Sequence, residues 1–187
     1  THGHPLAWTC SALLAQLISW VVHQHPDRGT YRLEDVIPHL GKGRDPAAYA
    51  LVNRAAALAL NPLVPDLDGI HALGEGWVAE EALAIAVFCA VRYQDDFAAA
   101  IRAAVNHKGD SDSTGAICGN IMGAWLGKEA VEAAFDLDAL ELRDVIEKMA
   151  TELFEVVESP IKRKTMQEPK PPIPEPMKPL RPVGLQY

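Results

Sequence analysis

The chain has 187 residues, a formal net charge of −8, 49% hydrophobic residues and 22% charged residues. That length suffices for one globular domain with a sizeable core, and the hydrophobic content excludes global disorder. The negative balance argues against a nucleic-acid partner, and no membrane-spanning run or secretory signal is expected from the sequence.

The predicted elements are almost all helical. Pro5 to His25 carries Leu6, Leu13, Leu14, Leu17, Ile18, Val21 and Val22 at helical spacing, with Pro5 suited to a first turn. His25-Pro26-Asp27-Arg28-Gly29 breaks that run. A short helix is predicted over Leu33 to Leu40, then a Gly41-Lys42-Gly43 loop, then an alanine-rich helix from Asp45 to about Leu60. Asn61 to Gly76, punctuated by Pro and Gly, reads as loop. Trp77 to Tyr93 is apolar nearly all round, which predicts a central buried helix. Asp95 and Asp96 read as the cap of the next helix, in which Phe97, Ile101 and Val105 recur every fourth residue. Further helices are predicted from about Thr114 to Leu126 and from Leu140 to Val157, the last with Val145, Ile146, Met149 and Leu153 on one face. No alternating strand pattern of useful length occurs.

Composition changes at Ser159. Eight of the 14 prolines fall between Pro160 and Pro182, and this tail carries six basic against two acidic residues. Its net charge is therefore +4 and that of the preceding body −12. Such a segment reads as a polyproline-like tail, so residues 1–158 form the expected helical domain and 159–187 the tail. Cys10, Cys89 and Cys118 are widely spaced in apolar segments and read as buried thiols of a reducing, cytoplasmic compartment.

The stretch with most chemistry is Gly109-Asp110-Ser111-Asp112-Ser113-Thr114-Gly115. Carboxylate and hydroxyl oxygens are the ligands preferred by hard cations such as Mg²⁺ or Mn²⁺, and flanking glycines let a chain turn both carboxylates toward one ion. A helix N-cap needs only one acceptor, whereas this stretch offers four side-chain oxygen groups.

The order of the surrounding segments matters. Leu73-Gly74-Glu75-Gly76-Trp77-Val78-Ala79-Glu80-Glu81-Ala82-Leu83 is followed by Asp96-Phe97, by Ile101 to His107, by the acidic stretch, and by Gly119-Asn120-Ile121-Met122-Gly123-Ala124-Trp125-Leu126-Gly127. This pattern resembles the C-terminal half of the ADP-ribosylglycohydrolase family, which includes the dinitrogenase-reductase-activating glycohydrolases. The opening Thr1-His2-Gly3-His4-Pro5 resembles the family's Thr-His segment near mid-chain. The resemblance covers roughly residues 1–155, with one departure: Ser113 stands where the family usually has Thr.

What the resemblance implies is an all-α, compact multi-helix orthogonal bundle, here partial, with a binuclear Mg²⁺ or Mn²⁺ site. Asp110 and Asp112 would be catalytic metal ligands, with Ser113 as a third oxygen ligand. His2, Glu75 and Trp77 would contact substrate. Each has a plainer reading: His2 as a terminal capping residue, Glu75 as a loop carboxylate, Trp77 as a core indole. His4 is the weaker of the two N-terminal histidines, His107 orients the acidic loop or serves as a local hydrogen-bonding partner, and His23, His25, His39 and His71 read as solvated. The family's other metal motif, a Thr-Asp-Asp triplet, has no counterpart; Gln94-Asp95-Asp96 lacks the hydroxyl.

The expected function is thus metal-dependent hydrolysis releasing ADP-ribose from a modified protein side chain or a small molecule. This chain would carry half of the site and be inactive alone. Self-association or the missing N-terminal half would cover the exposed apolar surface. The alternative is a non-catalytic helical module that binds ADP-ribose or another protein.

Overall fold

In the computed structural model the chain is described over residues 3–23, 31–40 and 46–158. Among these residues the secondary structure is helical throughout, with no strand. The chain divides into two compact units, Thr1–Asp136 and Leu137–Tyr187. The tail from residue 159, Thr1 and His2, and the segments 24–30 and 41–45 lie outside the described residues.

The first unit is organised around one helix. Its elements are α1 (Pro5–His23), α2 (Leu33–Val36, continued by a 3₁₀ turn Ile37–His39), α3 (Pro46–Leu60), α4 (Asp66–His71), α5 (Ala79–Arg92), α6 (Phe97–Val105), α7 (Ser111–Leu126) and α8 (Lys128–Ala134). Every residue of α5 from Ala82 to Val91 is buried. It is ringed by α1, α3, α6 and α7, as an all-round apolar helix must be if it is to leave water. Alanines at 55, 56, 59, 84, 86 and 90 keep the α3 and α5 surfaces small, so these helices approach closely.

The helix over Trp77–Tyr93 begins at Ala79, and Trp77 lies outside it with 66% of its surface exposed. The core reading of this tryptophan does not hold. In α6 the buried face is Phe97, Ala100 and Ala104, while Val105 is exposed, so the burial stripe runs one residue away from the predicted fourth-residue repeat. Asp96 caps α6 as expected, accepting from Ala99 N at 2.9 Å, whereas Asp95 pairs with Arg32 at 2.9 Å on the surface.

Two helices escape the sequence patterns. Within the stretch read as loop, Asp66–His71 forms α4. Asp66 and Asp68 lie in its first turn and His71 in its last, the polarity that complements a helix dipole, and Ile70 is buried. Arg92 secures the approach to it: its guanidinium donates to the carbonyls of Leu58, Asn61 and Val64 at 2.8–3.1 Å and lies 3.4 Å from Asp66. The second is α8, which buries no residue fully and packs only Val131 and Ala134 against the core, an apolar period too short to read.

One exclusion is corrected. α1 is 19 residues long with mean hydropathy 1.5, and is long and apolar enough to cross a membrane by length and composition. In this unit it buries Thr9, Cys10, Leu13, Leu17 and Val21, the face that packs on α5 and α7.

The second unit contains a 3₁₀ turn, Leu137–Ala139, and α9, Arg143–Glu158. Arg143 joins them, pairing with Asp138 at 2.6 Å and with Glu147 at 3.1 Å. Val145, Ile146, Met149 and Leu153 share a face of α9 as the spacing predicts, and all four are exposed.

Candidate functional site

The acidic stretch lies at the head of α7. The helix starts at Ser111, three residues earlier than the sequence suggests, so Asp110 is its N-cap and Asp112 and Ser113 fall in its first turn. The loop expected over Asp110–Ser113 is therefore mostly helix. The reason is local: Thr114 N–H donates to Asp110 O at 3.3 Å, closing the first turn around residues that favour helix starts.

Asp110 makes no side-chain cap bond despite its N-cap position. Its carboxyl is held below the usual carboxylate range, first by hydrogen bonding with the Asp112 side chain and next by the Ser113 hydroxyl. Asp112 Oδ1 accepts from Ser113 N at 3.0 Å. The three side chains form one oxygen cluster at the positive end of a 16-residue helix.

A buried network holds this cluster from beneath. His107 Nδ1 accepts from Gly109 N at 3.0 Å, so the neutral ring carries its proton on Nε2. That Nε2–H donates to Thr114 Oγ1 at 2.9 Å, and the hydroxyl of Thr114, fully buried, donates to Ala104 O at 2.7 Å. His107 thus ties the α6–α7 connection to both flanking helices. It is a local partner and an orienter of the loop at once.

The 73–77 segment closes the other side. Asp110 N donates to Glu75 O at 2.8 Å. A Cβ on Gly109 would lie 1.6 Å from that same oxygen, so only glycine permits the two backbones to meet. The Glu75 carboxylate accepts from Trp77 Nε1 at 3.1 Å, which fixes the exposed indole. Beside it is a cavity of about 610 Å³, walled by the indoles of Trp8 and Trp77 and by His4, Ser11 and Glu80. Of the sequence-predicted residues, Asp110, Asp112, Ser113, Glu75 and Trp77 are thereby brought into one connected region. His2 lies outside the described residues.

Sequence reasoning passed over Trp8 and Glu81. His4, Trp8 and Ser11 recur at intervals of four and three, the spacing of one helix face, and that signal was available. Glu81 gave none, because its role depends on a turn whose shape the sequence does not display.

Two carboxylates and a hydroxyl are the right donors for a hard divalent cation, but they fall short of the six oxygens such an ion prefers. Among the described residues no group of three or more His, Cys, Asp or Glu side chains is gathered for a metal. The donor set fits part of a cation shell.

The model of the ADP-ribosylglycohydrolase family matches residues 1–162. That span is most of the chain, and the chain belongs to the ADP-ribosylglycohydrolase family, hydrolases at the family level. No curated protein and no solved structure matches it.

Proposed function

We propose that the chain contributes Asp110, Asp112 and Ser113 to a divalent-cation site in a hydrolase that releases ADP-ribose from a modified side chain or small molecule. The observation that carries this reading is the Asp110 carboxylate. It stands at the N-cap of α7, is held below the usual carboxylate range by its neighbours, and shares its cluster with the Asp112 carboxylate and the Ser113 hydroxyl. An Mg²⁺ or Mn²⁺ pair, when bound, orients substrate and stabilises charge that develops as the glycosidic bond breaks. Asp110, Asp112 and Ser113 would supply oxygen ligands to it. The second ligand motif that the family resemblance implies, a Thr-Asp-Asp segment, would supply the remaining oxygens, and no such triplet occurs in these 187 residues.

The chain's own residues do the rest. The Trp77 indole offers an apolar face to the planar base or the ribose. Glu75 keeps acceptor capacity beyond its bond to Trp77 and takes a ribose hydroxyl, because a carboxylate has about four lone-pair sites.

A second reading has one observation in its favour, the incomplete donor set. On that reading the protein binds ADP-ribose without cleaving it. Release of ADP-ribose from ADP-ribosylated arginine and serine peptides distinguishes the two. The full-length natural protein should act only with Mg²⁺ or Mn²⁺, and the 187-residue chain alone should not act. Binding of ADP-ribose by the full-length protein without turnover on either peptide would establish the second reading instead.

A further inference from the structure

Glu81 stands at the third position of α5, where a glutamate ordinarily reaches back to the N-cap residue. Here it reaches further. Its Oε2 accepts from the backbone N–H of both Glu75 and Gly76, each at 3.1 Å. Gly74, at φ +128°, lies so close that a Cβ there would come within 2.3–2.7 Å of the Glu81 side chain. The half-buried carboxylate therefore lies directly against the turn that it holds.

That turn has two outputs, both through Glu75. Its carbonyl accepts from Asp110 N, and its carboxylate accepts from Trp77 Nε1. We infer that Glu81 is a positioning residue whose single carboxylate sets the acidic cluster and the indole wall of the cavity in register with each other. The inference rests on the cation-site reading for its functional consequence, but not for its geometry. Glu81 touches neither Asp110 nor the cavity, and acts only through the 74–76 turn.

The test compares Glu81→Ala, which removes the acceptor, with Glu81→Gln, which keeps an acceptor oxygen and drops the charge. Two measurements need no cation: hydrogen exchange at the Asp110 amide and the indole N–H resonance of Trp77. In Glu81→Ala, Asp110 exchange should accelerate and the Trp77 resonance should shift. In Glu81→Gln both should stay near the parent. In the full-length protein, Glu81→Ala should weaken Mn²⁺ binding by about 10- to 100-fold, as loss of a supporting partner around a metal site does, with Glu81→Gln close to the parent.

Parent exchange at Asp110 in a folded Glu81→Ala protein would overturn the inference. So would a folded Glu81→Gln protein that behaves as Ala does. If Glu81→Ala does not fold, Glu81→Gln with parent exchange and parent Mn²⁺ affinity supports the hydrogen-bonding role. A full-length parent that binds no Mn²⁺ contradicts the cation site, while the exchange data still decide the role of Glu81.

Discussion

The site depends on one backbone meeting another, and the narrowest point is Gly109. A methyl group there would sit on Glu75 O. Gly109→Ala must separate the two segments and break the Asp110 N–Glu75 O bond, so it should destabilise the first unit by about 1–3 kcal/mol, the usual cost of overpacking. Chemical denaturation of parent and variant measures this directly, and an unchanged midpoint would show that the segments do not pack as described. At this scale the sequence revealed residue types better than residue roles. Asp110, Asp112 and Ser113 stand out because paired carboxylates between glycines are uncommon, and the structure adds their place at the head of α7. Trp77 was ambiguous, since its exposure depends on α5 starting two residues later. Glu81 was invisible, because nothing local marks a side chain that caps a turn five residues back.

Among the elements, α5 carries the fold. Phe88 is fully buried in it, with the Arg92 guanidinium 4.8 Å from its ring centre. Phe88→Ala should cost about 3–5 kcal/mol, combining lost burial with a cavity. The two thiols of this region give a gentler probe. Burial, and then the neighbouring Cys118, pushes the Cys89 thiol far up, and burial pushes Cys118 up to about 12. Thiolate is the reactive form, so both should resist a thiol reagent at neutral pH in the native protein and react once it is unfolded. Rapid native-state labelling of Cys89 or Cys118 would mean that α5 and α7 are not packed together. α1 and α9 were legible from apolar residues at helical spacing, α3 from its alanine-rich run and α5 from being apolar nearly all round. α4 was hidden because Pro and Gly signals dominate its short span, and its order comes from Arg92, over 20 residues away in sequence. α8 was hidden because only Val131 and Ala134 of its seven residues pack against the core.

For the molecule as a whole, the all-α class and the family follow from patterns spread over many segments, which is why a sequence reading reached them. Composition was less dependable for α1. Its apolarity passes a length test for a membrane helix, while one of its faces is used in the core. On the proposed function, Asp110 and Asp112 hold a cation needed for releasing ADP-ribose. The most direct test is cation-titrated ADP-ribose release by the full-length protein carrying Asp110→Ala or Asp112→Ala, with far-UV circular dichroism in parallel. No turnover is expected at any Mg²⁺ or Mn²⁺ concentration, with the helical signal and melting temperature of the parent. Release at the parent rate by either folded variant would contradict it.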